Sequence, residues 1–510
     1  MDLGLVDLVL VAVCLTGVIA LYFRNNPLGH GGWFLMRRFI NWFPLGMTYA
    51  FLYMGRYNLQ VAKNALGVLM SKEDFGLIFG IGTVVYGLSF LVNGPIVDKI
   101  GGKAGIIIAA IGSSCANIIM GIITYLVVTG QLRSSLVLVY SVAYALNMYF
   151  QSYGGVSIIK VKAYWFHVRE RGVFGAIFGT LISFGVYFAF DWGQAIANMT
   201  KAGSSGGWLH NLVQRIFAID TGHYDATWAL FFIPAGILIV WALLDAWLIK
   251  NTPEEAHFPP FDTHDASSGV MHIELTTMDL LKKVFGNPLM LLFASVELTS
   301  GVLRNGIMQW YTIFAREVSQ PPAGFFVQHW GLLLCYFGIV GGFTGGLISD
   351  KYFQSRRGPP AAVLSGFMFL MTIVMAIALY LSLGHRGNSP VLNGENAPIV
   401  VGISALLIVM AVTGVHSLMS GTAAADFGGR KATATCSGIV DGCVYLGSGV
   451  QSIGVGYLAG HSWQWWPIFL MPFALAGTIL AARFWFALPA ATKKYIDEVE
   501  SKRAPAGSAH

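Results

Sequence analysis

Apolar stretches of about 20 or more residues, the length a helix needs to cross the hydrocarbon core of a bilayer, recur thirteen times along this chain of 510 residues. Lipid offers no water to satisfy peptide N–H and C=O groups, so each such stretch is expected to satisfy them internally, as a transmembrane helix. The first runs from Leu3 to Phe23. The others cover residues 39–65, 75–98, 104–129, 134–160, 172–198, 226–249, 287–315, 327–350, 359–384, 398–424, 432–459 and 464–489. Composition agrees: 55% of the residues are hydrophobic and 11% charged, against about 25% charged in an ordinary soluble domain. A soluble enzyme is excluded, because a water-facing surface for so long a chain needs far more charge.

Charge also orients the spans. Basic clusters at Arg24/Arg37/Arg38, Lys99/Lys103, His167–Arg171, Lys282/Lys283, Lys351/Arg356/Arg357, Arg430/Lys431 and Lys493/Lys494 fall at every second gap. Cytoplasmic loops carry such an excess, so those gaps and the C-terminus are expected inside and the N-terminus outside, in a bacterial inner (plasma) membrane. The first span has Asp2 and Asp7 where a signal peptide has basic residues, and no clear cleavage site, so it reads as a retained helix. It either docks an unknown partner or leans on the bundle. No basic stripe with interleaved aromatics suggests nucleic acid. The cysteines Cys14, Cys115, Cys335, Cys436 and Cys443 lie in apolar stretches without metal-ligand spacing and read as packing residues.

The polar stretch from Lys250 to Lys283, with Pro253, Pro259 and Pro260, divides the remaining twelve spans into six and six. His257, His264 and His272 with Asp262 and Asp265 match no zinc geometry there, and the stretch reads as a solvated linker. The expected organisation is an extra helix in residues 1–30, a six-helix half in 31–250, a cytoplasmic linker in 251–286, a second half in 287–490 and a tail in 491–510. Around Lys201–Gly207, with Trp208 and His210 following, lies an unusually long outer loop. Landmarks repeat between the halves. Arg56 is followed 38 residues later by Gly94-x-x-x-Asp98-Lys99, and Arg304 is followed 42 residues later by Gly346-x-x-x-Asp350-Lys351. Equivalent landmarks at equivalent depths mean two copies of one architecture.

A charged side chain at mid-bilayer costs about 2.5–3.5 kcal/mol on insertion scales and is kept where it faces a cavity. Arg56 and Arg304 lie deep in the first span of each half, and a pseudo-twofold relation brings both to the centre. Two guanidiniums there offer forked donors matched to phosphate or carboxylate. The alternative is that each arginine satisfies helix carbonyls or a buried acid. The doubled Gly-x-x-x-Asp-Lys, first followed by Gly101-Gly102-Lys103, resembles the cytoplasmic signature of the major facilitator superfamily. In it, glycine permits close helix approach while the carboxylate meets a helix N-terminus or a basic side chain, forming a latch.

Within that superfamily the chain resembles the organophosphate:inorganic phosphate antiporters from about Trp42 to Ala490. Met54-Gly55-Arg56-Tyr57-Asn58 is similar to their first-helix arginine motif and Tyr86-Gly87-Leu88-Ser89-Phe90 to their second helix. Val302-Leu303-Arg304-Asn305-Gly306-Ile307 with Gln309-Trp310 is similar to the seventh, and Asn251-Thr252-Pro253 to the sequence after the sixth. The resemblance implies an all-α, polytopic fold of two six-helix halves that rock about one site. It implies a phosphorylated metabolite such as glycerol-3-phosphate or a hexose phosphate exchanged for inorganic phosphate, bound by Arg56 and Arg304 with Tyr57, Asn58, Lys160 and Tyr164 as further candidates. The chain departs from the family at Phe90, where a lysine is common. It departs again at Phe178–Ser183, in place of Trp-Asn-x-x-His-Asn, and at Tyr164, where the glycerol-phosphate members have histidine. The cargo is therefore left unnamed.

Two acids inside spans have no counterpart in these motifs. Glu297 precedes Arg304 by seven residues, on the same helix face about two turns away, and suits a gate. Asp441 suits proton coupling. Each is equally open to reading as a structural partner of a nearby basic group. Lys162 is open to reading as added positive charge near the cavity or as a side chain that snorkels to the interface. Aromatics at span ends, including Trp463, Trp465 and Trp466, read as an interfacial belt. No nucleophile elbow, phosphate-binding loop or metal constellation occurs, so no enzyme activity and no cofactor are expected. Two further readings stand beside exchange: a proton- or sodium-coupled carboxylate transporter, and a sugar-phosphate sensor built on a transporter fold.

Overall fold

The computed structural model describes residues 5–167, 170–203, 208–217, 224–260, 263, 282, 285–286, 288–318, 324–353, 357–383, 397–427 and 429–486. Among these, each expected span is a helix: α1 (Leu5–Arg24), α2 (Gly32–Leu66), α3 (Lys72–Ile100), α4 (Gly102–Val128), α5 (Leu136–Trp165), α6 (Arg171–Tyr187) continued by α7 (Gly193–Met199), and α9 (Ala229–Leu248). The second half supplies α10 (Pro288–Met308) with α11 (Tyr311–Val318), α13 (Trp330–Tyr352) after the one-turn α12 (Phe325–Gln328), α14 (Gly358–Leu383), α15 (Ala397–Phe427), α16 (Gly429–His461) and α17 (Trp465–Arg483). Most of the expected linker, with His264, His272, Asp262 and Asp265, lies outside the described residues, as do the side chains of Cys436 and Asp350. The long loop carries the short amphipathic α8 (Trp208–Phe217).

Seven helices (α3, α4, α9, α13, α14, α15 and α17) are apolar enough to cross a membrane on length and composition alone. The helices this criterion misses are instructive. Helix α2 buries Arg38, Asn41, Thr48, Arg56, Asn58, Gln60 and Lys63 along its length, because it faces the interior of the bundle rather than lipid. At 35 residues it also begins seven residues before its apolar stretch, and its roughly 52 Å overshoots a hydrocarbon core of about 30 Å.

Local chemistry sets several ends. Ser71 caps α3: its hydroxyl accepts from the Asp74 amide at 3.0 Å while Asp74 accepts from the Ser71 amide at 3.0 Å. Asn251, just after α9, accepts from the Lys103 amide at 2.9 Å and so caps α4. Trp463 and Trp466 are buried rather than belt residues. The indole of Trp466 donates to Gly306 O at 2.7 Å and that of Trp463 to Glu317 at 2.9 Å, bracing the broken seventh span, whereas Trp465 is half exposed.

The extra helix leans on the bundle. Tyr22 donates to Leu35 O at 2.8 Å and accepts from Arg38 at 3.0 Å. Arg38 in turn makes a two-pronged pair with Glu170, each oxygen at 2.9 Å. Burial alone would push the Glu170 carboxyl up, but the bonds and charge of Arg38 outweigh it and hold the carboxyl below its ordinary range.

The halves meet along α3 and α16, where glycines face one another. A Cβ on Gly76 would lie 2.8 Å from the Cα of Gly456, and one on Gly87 would lie 2.6 Å from Gly442 O, so only glycine permits this backbone approach. Hydrogen bonds joining described residues of the two halves lie at the depth of Arg56 or beyond it, toward Lys72 and Glu317. Gln60 donates to Gln309 O and to Thr312 Oγ1, both at 2.7 Å, using a carbonyl at the break between α10 and α11. A π turn at Phe188–Trp192 carries Asp191, whose two oxygens accept from the Gly331 and Leu332 amides at 2.8 Å each. A carboxylate from one half thus caps α13 of the other. Arg316 to Gln194 at 2.5 Å and Lys72 to Glu317 at 2.8 Å complete this seam.

Candidate functional site

Arg56 is fully buried and held on three sides. Its Nε donates to Gln151 at 2.9 Å, Nη1 to the Tyr445 hydroxyl at 2.6 Å and Nη2 to the Tyr86 hydroxyl at 3.0 Å. The rings of Tyr53 and Tyr86 each stand 4.5 Å from its guanidinium carbon, and their π faces offset part of the cost of burying the charge. Arg304, from the other half, donates to the Tyr53 hydroxyl at 3.3 Å. Tyr53 therefore touches both guanidiniums, which brings the two arginines together at the centre of the bundle. They are not equivalent. Arg56 is oriented by three neutral acceptors, while Arg304 keeps partial exposure and makes one long hydrogen bond among the described residues. Among the described residues no acid pairs with Arg56. A cationic site arranged this way accepts an anion through charge-assisted, forked hydrogen bonds.

Tyr57 belongs to this layer: its hydroxyl donates to Asn305 Oδ1 at 3.0 Å across the halves. Three expected site residues lie elsewhere. Asn58 turns away from the clamp, donating to Asn117 at 2.7 Å and to Leu230 O at 3.1 Å inside its own half. Lys160 pairs with Asp98 at 2.8 Å and stands 5.7 Å from the Tyr164 ring. Nine residues beyond Gln151 on α5, it is about 14 Å along the axis from the clamp. Lys160 and Tyr164 thus belong with the latch of Gly94 and Asp98. Lys99 and Lys351 are exposed, Gly346 is half-buried, and Lys162 lies 5.6 Å from the Phe174 ring.

The sequence reading missed Tyr53, Tyr86, Gln151 and Tyr445 as partners of the arginines. Tyr53 lies one turn before Arg56, and Tyr445 one turn after Asp441; those spacings were the available signal. Two further intramembrane acids also went unremarked. Asp191 caps α13, and Asp245 accepts from the Thr48 hydroxyl at 2.6 Å. Phe90, standing where the antiporters that the chain resembles commonly have lysine, packs its ring 4.8 Å from that of Tyr86. Glu297 is fully buried and its Oε2 meets His416 Nδ1 at 3.0 Å, while Asp441 is half-buried on α16. Among the described residues no cluster of three or more metal-ligating side chains occurs.

Two pseudo-symmetric helical halves closing on one pair of arginines define a polytopic membrane carrier for small solutes. The chain belongs to the Major Facilitator Superfamily, whose family model matches residues 45–452. A glycerol-3-phosphate transporter of Bacillus subtilis is 24% identical over 428 residues, 81% of this chain and 84% of that protein. The membrane sensor protein UhpC of Escherichia coli is 24% identical over 443 residues, 84% and 88% of the two chains. A probable hexose phosphate transport protein of Chlamydia trachomatis is 23% identical over 483 residues, 90% and 93%. Among solved structures, the Major Facilitator Superfamily transporter FucP in the outward conformation superposes with a TM-score of 0.52 at 15% identity, covering 86% of this chain and 99% of FucP. The fold is that of transporters, not enzymes.

Proposed function

We propose that this chain exchanges a phosphorylated metabolite for inorganic phosphate by alternating access, with Arg56 and Arg304 as the two jaws of one anion clamp. The observation that carries this reading is the clamp itself: one guanidinium from each half, joined through Tyr53. An anion bridging them draws the halves together, so binding and closure are linked. Relatives named for glycerol-3-phosphate and hexose phosphate transport support the class of cargo. With Phe90 in place of a third cation, the clamp balances about two negative charges, the charge of a phosphate monoester near neutral pH. Following the distribution of basic residues, the latch end faces the cytoplasm and the seam through Asp191, Arg316 and Lys72 is the closed outer gate. The state is then inward-facing, with the N-terminus outside.

Counterflow tests the proposal. Proteoliposomes loaded with phosphate are challenged with labelled phosphate, glycerol-3-phosphate, hexose 6-phosphates, phosphoglycerate and dicarboxylates. Exchange of phosphate and at least one phosphorylated compound is expected. Exchange of dicarboxylates alone overturns it. A sensor like that named among the relatives binds without turnover, so saturable binding with no counterflow points there instead.

A further inference from the structure

Glu297 is a buried carboxylate that the anion clamp does not use. It is 0% exposed; one oxygen meets His416 and the other, Oε1, has no hydrogen-bond partner among the described residues. An ionised carboxylate with an orphaned oxygen is costly to bury, and a proton removes that cost. His416 has a 30% exposed side chain, so the pair reaches the edge of the packed interior. Each element packed on Glu297 contributes to its surroundings: Arg304 on its own helix, His416 on α15, and Asp441 and Cys443 on α16, all within electrostatic reach. Helix α17 brings only Arg483, at its far end. Two acids and one imidazole therefore lie within electrostatic reach of one another, about two turns along α10 from the arginine that completes the clamp.

We propose that the Glu297–His416 pair is a proton-binding site through which anion binding at Arg304 is linked to proton uptake. This rests on the clamp reading and deepens it. One proton enters the pair from water as the anion arrives and returns to water as the anion leaves. With the proton present on either member the pair is neutral overall; without it, the carboxylate is a net negative charge on the helix face of Arg304. The two residues are seven apart, or about 10 Å along the axis, where one charge at an effective dielectric of about 20 changes anion affinity on the order of tenfold.

The test measures phosphate binding to the purified full chain between about pH 5 and 9, for wild type and for Glu297→Gln with His416→Gln. The ratio of the two dissociation constants cancels the ionisation of phosphate itself. It is expected to change about tenfold across the range. A pH-independent ratio overturns the proposal. Proton uptake per phosphate bound, counted calorimetrically in two buffers of different ionisation enthalpy, decides the matter if the double variant binds nothing. Uptake by wild type beyond that of phosphate supports the proton site, and none overturns it. Wild type that binds no phosphate at all overturns the clamp reading, and the proton site with it.

Discussion

Replacing Asp191 with alanine is expected to loosen the proposed outer gate more than truncating Lys72 does. Its carboxylate satisfies the Gly331 and Leu332 amides at 2.8 Å each, at the N-terminus of α13. Such a cap is worth about 0.5–2 kcal/mol, and a carboxylate at the positive end of a helix adds about 0.3–1 kcal/mol. With the gate open, water serves both amides, so the loss of about 1–3 kcal/mol falls on the closed state alone. The open fraction should rise about 5–150-fold. The Lys72–Glu317 pair spans the same seam, but its side chains are 19% and 41% exposed, and such pairs contribute about 0–1 kcal/mol. Lys72→Ala should therefore shift the gate far less. Spin labels at Val68→Cys and Phe325→Cys, both exposed near the outer end, report the separation of the halves by pulsed dipolar spectroscopy once the native cysteines are replaced. An unchanged distance distribution in Asp191→Ala, or an equal shift in Lys72→Ala, refutes this account of the gate.

Three further outcomes are expected. In Gly87→Leu the new Cβ falls 2.6 Å from Gly442 O, and the overpacking, about 1–3 kcal/mol, should hold the halves apart, seen as increased reactivity of a cysteine at Tyr53 toward impermeant reagents from outside. Tyr445→Phe deletes a 2.6 Å bond to Arg56 and, at about 1.5–3 kcal/mol for a hydrogen bond to a charge, should weaken phosphate binding at least about tenfold; unchanged affinity removes Tyr445 from the site. Because Arg38 depresses the Glu170 carboxyl in the folded chain, the pair stabilises the fold above the ordinary glutamate range and loses that contribution as pH falls through the lower folded value. Thermal unfolding of Glu170→Gln should accordingly start from a lower midpoint and fall less steeply in acid than that of the wild type.

The spans were legible in the sequence because lipid imposes one length and one composition on any helix that crosses it. Arg56 and Arg304 stood out for the converse reason, since a charge at that depth is kept mainly where it faces a cavity or a partner. What surrounds them was not. Tyrosine is compatible with lipid, interface and interior alike, so Tyr86 and Tyr445 gave no sign of their partners. Asn58 and Lys160 were misplaced because spacing along one helix gives neither its rotation nor the depth at which a neighbour crosses it. Asn58 faces α4 and α9, and Lys160 reaches the latch. Seam residues such as Asp191 depend on the approach of two halves distant in sequence, where no local pattern reports the contact.

Phosphate self-exchange in proteoliposomes, compared among wild type, Arg56→Lys and Arg304→Lys, bears most directly on the central claim. Lysine keeps the charge but not the fork. If one guanidinium from each half must grip the anion, wild type exchanges and each variant loses exchange while remaining folded. Exchange that survives either substitution contradicts the clamp.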